Sequence, residues 1–249
     1  MKDLAPNKRR LNYKSPRTGI KCDLVDCGCK SSTMIWISHS LKAIWFETPK
    51  AASASIKRTL NIIPTPSSST TSPIARLFHR SKRVADRPAY QFEMWEGDEC
   101  QVIKQYPDYY KFAIVRNPWD RMVSNWSMFC RAGLPDRERK IEILFGKKYD
   151  EIEFKEFIRR SVSIHNHHWQ QYVDFLPWDR DKLLVDYLGR LESFADDWSE
   201  IAHRLGIDVT LITNNQTDHR HYRNYYDEEL RDIVASSFKD DIRVFHYQF

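Results

Sequence analysis

At 249 residues the chain has room for one large domain or two small ones, and it can bury a substantial core. Charged residues make up 29% of it, the mean hydropathy is −0.63, and no run of about 18 apolar residues exists, which excludes a membrane-spanning helix. The net charge of +5 suits anionic ligands but is too small to argue for nucleic acid by itself.

Residues 1–33 are polar and basic, and the expectation is a poorly ordered arm ahead of one domain over 34–249. The opening Met1–Arg10 lacks the apolar segment of a signal peptide, so the chain reads as soluble and cytoplasmic. Cys22, Cys27 and Cys29 cluster without an obvious fourth ligand. They are either free thiols in a reducing compartment or, if the chain folds back to His39, a metal set; the expectation is no metal.

Met34–Ile37 and Ala43–Glu47 read as strands, fit for a hairpin. The second strand runs into Pro49-Lys50-Ala51-Ala52-Ser53-Ala54-Ser55, a loop of small residues, and a helix follows over 53–62. Small residues let the backbone approach an anion, the start of a helix presents free amides, and Lys50 adds a cation. The Walker A pattern is absent. An ordinary strand-to-helix turn with an exposed lysine is the competing reading. Pro64–Pro73 is a low-complexity loop, Ile74–Arg87 is basic and fits a helix, and 92–105 fit either class.

Phe112–Val115 reads as a buried parallel strand ending at Arg116. Asn117 is placed as an N-cap and Pro118 at the first position of a helix over 118–131. Ser124 lies eight residues after Arg116. An arginine and a hydroxyl at the carboxyl end of a strand suit a phosphate; the alternative is an arginine that caps the helix or pairs with Asp120. Glu151–Ser161 has the spacing of an amphipathic helix, and His165, His167 and His168 precede Trp169. Leu183–Tyr187 reads as a strand, Leu191–Leu205 as a helix and Asp227–Phe238 as the final helix. Strands alternating with helices give an α/β class with a central, mainly parallel sheet flanked by helices.

Taken together, Thr48–Ser55 and Phe112–Ser124 resemble the 5'-phosphosulfate loop and the 3'-phosphate motif of sulfotransferases that use 3'-phosphoadenosine 5'-phosphosulfate (PAPS). The likeness is to the carbohydrate-type branch and its bacterial relatives. Ile37-Ser38-His39, Gly189–Phe194, His221–Tyr226 and Phe245–Phe249 are similar to that family as well. Ser53-Ala54-Ser55 stands where relatives often carry Gly-Thr-Ser.

The resemblance implies a P-loop-like sulfotransferase fold and transfer from PAPS to a hydroxyl of a carbohydrate or small molecule, with 3'-phosphoadenosine 5'-phosphate (PAP) as product and no metal. It implies that Lys50 faces the bridging oxygen. Lys50, Ala51, Ala52, Ser53, Ala54 and Ser55 would hold the 5'-phosphosulfate, and Arg116 and Ser124 the 3'-phosphate. Arg220 and Arg223 fall in a loop that closes over the nucleotide in relatives, and His167 and His168 in a segment lining the acceptor cleft. His79 is the first choice of general base, with Glu93, Glu96, Asp98 and Glu99 as fallbacks. The readings weighed against this are a P-loop-like nucleotide kinase and a basic RNA-binding protein without catalysis. Neither a membrane nor a nucleic-acid partner is expected.

Overall fold

Two runs dominated by apolar residues, Ala43–Glu47 and Tyr110–Val115, take the middle of the fold because neither offers a polar face to water. The computed structural model describes residues 33–60, 62, 90–131, 133–208 and 221–249. Its strands are β1 (Met34–Ser38), β2 (Ala43–Glu47), β3 (Phe92–Met94), β4 (Tyr110–Val115), β5 (Trp178–Asp179), β6 (Lys182–Leu183) and β7 (Tyr187–Arg190). Its helices are α1 (Ser53–Thr59), α2 (Glu99–Gln105), α3 (Pro118–Cys130), α4 (Pro135–Phe145), α5 (Phe154–Ser161), α6 (Phe194–Leu205), α7 (Glu228–Ser237) and α8 (Lys239–Phe245).

Among the described residues five strands form one sheet in the order β3-β1-β2-β4-β7. β2, β4 and β7 run parallel, whereas β1 pairs antiparallel with both β2 and β3. The sheet is therefore mixed rather than mainly parallel. The cause is local: only His39–Lys42 separate β1 from β2, too short for a crossover, so the pair closes as a hairpin. One aromatic row helps to fix the register, with Trp36 opposite Trp45, Trp45 opposite Phe112, and Phe112 opposite Tyr187. The Trp45 and Phe112 rings stack at 6.4 Å between centroids. A one-residue slip would turn this row to the other face.

The carboxyl ends of β2, β4 and β7 emerge side by side, so the segments after Glu47, Val115 and Arg190 share one edge of the sheet. After β4, Asn117 caps α3 as its sequence dictates, its Oδ1 accepting from the amides of Trp119 (3.0 Å) and Asp120 (3.4 Å). Pro118 occupies the first turn. After β7, Asp197 of α6 accepts from the Tyr187 hydroxyl (2.6 Å), the Ser193 hydroxyl (2.6 Å) and the Arg190 amide (2.8 Å). Gly189 lets β7 come this close, since a Cβ there would sit 2.6 Å from Ile114 Cδ1 and 3.2 Å from Asp197 Cβ.

Several elements depart from the sequence reading. The strand expected over Leu183–Tyr187 is split: Leu183 pairs with Trp178 in the small β5–β6 hairpin, and the sheet strand starts at Tyr187. α4 was not foreseen, α5 starts at Phe154 after a 3-10 turn over Tyr149–Glu151, and α7 is followed by one more helix, α8. The residues left open over 92–105 hold both a strand, β3, and a helix, α2.

Candidate active site

The loop after β2 carries unusual backbone geometry. Lys50 and Ala52 have φ of 66° and 63°, in the left-handed region that favours glycine. Such conformations persist only where the surroundings hold them. Here the Thr48 hydroxyl donates to the Ile114 carbonyl, and the Ser53 hydroxyl donates to the Thr48 carbonyl at 3.2 Å. The Tyr172 hydroxyl donates to the Pro49 carbonyl at 2.8 Å. Arg116, from the end of β4, donates to the Lys50 carbonyl at 3.3 Å. Glu47, the last residue of β2, accepts from the Trp36 indole at 2.5 Å and from Lys57 of α1 at 2.9 Å, which fixes α1 against the strand.

One buried stripe of α3 meets this loop at Met128. Arg121, Ser124, Asn125 and Met128 recur at helical spacing and are all buried. Met128 Sδ lies 3.4 Å from Lys50 Nζ. Thioether sulfur is a weak acceptor and no carboxylate among the described residues pairs with Lys50, so its charge is poorly compensated. Burial first, then Arg116, Arg137 and Arg121, lowers its pKa to about 7.

The histidines meet the same place from the segment between α5 and β5. Arg121 donates to the His168 carbonyl through Nη2 (2.9 Å) and Nε (3.2 Å), and Asn125 donates to it at 2.9 Å. Burial lowers the pKa of the His168 imidazole to about 3, helped by His167, Lys50, Arg137 and Arg121. Burial also lowers His167, with Arg121 acting the same way and Glu47 against it. Both imidazoles are therefore mainly neutral at pH 7, a form in which one ring nitrogen of each can accept a hydrogen bond.

The model of the Sulfotransferase family matches residues 33–248. The chain belongs to that family. Human carbohydrate sulfotransferase 10 is 22% identical over 246 residues, which covers 86% of this chain and 67% of that protein. An uncharacterised protein of Archaeoglobus fulgidus is 25% identical over 121 residues, covering 47% of this chain and 88% of that one. No solved structure matches the chain.

Of the residues singled out in this sulfotransferase from its sequence, the structure brings Lys50, Ala51, Ala52, Ser53, Arg116, His167 and His168 to one edge of the sheet. Ser55 is buried in α1 and Ser124 in α3, while Ala54 is exposed. Arg116 also pairs with Asp120 at 2.9 Å, so the pairing set against phosphate binding is made. Arg223 is exposed, and its Nη2 donates to the Phe249 carbonyl at 2.7 Å. His79, Arg220, Cys22, Cys27 and Cys29 lie outside the described residues. Of the fallback acids, Glu93 faces His39 at 3.4 Å and Asp98 caps α2. Among the described residues no group of three or more His, Cys, Asp or Glu could hold a metal, and no helix is long and apolar enough to cross a membrane.

Three residues packed against the loop or the His168 carbonyl were missed: Arg121, Asn125 and Tyr172. Arg121 was findable, since it precedes Ser124 by one helical turn and lies on the same face. Nothing in the sequence marks Tyr172, whose partner Pro49 is distant in the chain. A separate cavity of about 340 Å³ is lined by Trp169, Asn166, Gln170 and Phe238 among others, and includes none of Lys50, Arg116 or Ser124.

Proposed function

We propose that this sulfotransferase moves the sulfuryl group of PAPS to a hydroxyl of a carbohydrate or other small-molecule acceptor, within a single domain over 34–249. The observation that carries the proposal is the convergence of Lys50 and Arg116 at the carboxyl ends of parallel strands, joined by the bond from Arg116 to the Lys50 carbonyl. The residues fit an anionic donor. Lys50, Arg116 and Arg121 gather there, and Lys50 finds no carboxylate among the described residues. A ligand rich in negative charge relieves that imbalance.

PAPS supplies the sulfuryl group and departs as PAP. Lys50 has the reach to set its ammonium against the oxygen that gains charge as the sulfur–oxygen bond breaks; a donor aimed at such charge is worth about 10²–10³ in rate. Arg116 and Ser124 hold the 3'-phosphate and so distinguish PAPS from ATP. His167 and His168, neutral and beside Lys50, accept hydrogen bonds from acceptor hydroxyls. His79 remains the proposed base that takes the acceptor proton. The likeness to a human carbohydrate sulfotransferase favours a sugar as acceptor.

Thermal denaturation with PAP, and with ADP and ATP–Mg²⁺ as controls, tests the donor. A ligand that binds only the folded protein stabilises it by about 2.7 kcal/mol at a hundredfold excess over its Kd. Stabilisation by PAP alone is expected. A larger effect of ATP–Mg²⁺ would replace this reading with a kinase.

A further inference from the structure

We infer that Tyr172 and Arg121 are positioning residues, a buried pair that sets the distance between the Lys50 loop and the His167–His168 segment. The inference rests on the proposal that Lys50 is the transfer site. The two walls of that site belong to parts of the chain far apart in sequence, and neither the sheet nor a helix spans them both. Two side chains do. Tyr172, fully buried, donates its hydroxyl to the carbonyl immediately before Lys50, at 2.8 Å. Arg121, also fully buried, lies over the Tyr172 ring with its guanidinium carbon 3.9 Å from the centroid. Its Nε and Nη2 hold the His168 carbonyl, which also receives Asn125 Nδ2. Three donors on one carbonyl are more than its two lone pairs require, so the peptide after His168 is pinned.

Asp241 of α8 closes the unit from behind. It accepts from the amides of Tyr172 (2.8 Å) and Val173 (2.9 Å), and one of its oxygens is 3.9 Å from Arg121 Nη1. A chain of contacts thus runs from Pro49 through the Tyr172 hydroxyl, across the stacked ring and guanidinium, to His168. Tyr172 and Arg121 are both fully buried. Their effect is on where Lys50 and the imidazoles stand, and displacements of about 1 Å can lower turnover on the order of 10²-fold.

The test uses Tyr172→Phe, which keeps the ring over Arg121 and deletes only the bond to Pro49. Trp178→Phe is the control: it deletes a buried bond of 2.9 Å to the Val173 carbonyl, in the same segment but leading to neither wall. The readouts are the Kd for PAP and the kcat and KM for breakdown of PAPS with water as acceptor, measured well below the melting temperature of each protein. Tyr172→Phe is expected to bind PAP within about threefold of the unaltered protein, with KM for PAPS unchanged and kcat about 10- to 100-fold lower. Trp178→Phe is expected to melt earlier with normal kcat. Normal kcat in Tyr172→Phe overturns the positioning role, as does an equal loss in Trp178→Phe. Failure of the unaltered protein to bind PAP overturns instead the reading of the Lys50 loop on which it rests.

Discussion

Binding of PAP is expected to take up a proton, and its affinity to fall as the pH rises. In the free protein Lys50 titrates at about 7, because burial and the cations of Arg116, Arg137 and Arg121 oppose its charge. The negative charge of a bound phosphate offsets both influences and returns the amine toward its ordinary value of 10.5. Below pH 7 the free lysine is already charged and adds no pH dependence of its own. Above it, each complex must first protonate Lys50. With full restoration, Kd rises roughly 20-fold between pH 7.5 and 9, about 2 kcal/mol, and about 0.9 proton is taken up per complex at pH 8. Starting at pH 7.5 keeps the phosphates of PAP, with second pKa values of about 6, out of the result. Isothermal titration in buffers of different ionisation enthalpy counts the proton directly. Lys50→Arg, which stays charged, should bind with an affinity independent of pH over that range. A flat Kd and no proton uptake in the unaltered protein would refute the argument that Lys50 is both poorly compensated and at the phosphate site.

Lys50→Met should abolish turnover yet raise the melting temperature. The depressed pKa means the charged lysine opposes folding, most strongly below pH 7 and less as pH rises toward 10.5, so the gain should shrink over that window; a lower melting temperature at neutral pH would contradict this. Arg116→Ala should weaken PAP binding by about 2 kcal/mol, roughly thirtyfold, while saturating PAPS restores much of kcat; an intact Kd would remove Arg116 from the phosphate site. Gly189→Ala should destabilise the fold by about 1–3 kcal/mol in urea denaturation, because the new methyl meets Ile114 and Asp197; unchanged stability would show that β7 can move away.

The sequence disclosed those parts of the molecule that depend on neighbours in the chain. Asn117 and Pro118 announce α3, and the apolar run before Arg116 announces β4. The sequence order also foretold that the ends of two such strand-to-helix units lie together, and Arg116 does reach the Lys50 carbonyl. What escaped depends on packing. Leu183, Leu184 and Val185 look like a strand because they are apolar, yet the sheet takes Tyr187–Arg190, where Gly189 permits close approach. α4 has Pro135 in its first turn and Gly146 after its last, but only Ile141 and Phe145 are buried, too thin a stripe to stand out. Arg121 and Tyr172 join the site through tertiary contacts alone. The expectation of a mainly parallel sheet failed because alternation of strands and helices says nothing about a hairpin at one edge.

The pairing pattern of the sheet also orders events during folding. The β1–β2 hairpin needs only a four-residue turn and can form on a microsecond scale of about 1–10 μs. The parallel pairs are remote, with Ala43 against Tyr110 and Phe112 against Tyr187, and each requires a long segment to close before any contact rewards it. The edge that bears Lys50 and Arg116 exists only after the first of these closures, and its third strand arrives only with the second. Lengthening either connection is nonetheless cheap in equilibrium terms, at about 0.6 kcal/mol per doubling. Insertions between α1 and β3, or between α3 and β7, should therefore slow assembly more than they destabilise the finished sheet. Those connections can therefore change in length without rebuilding the core.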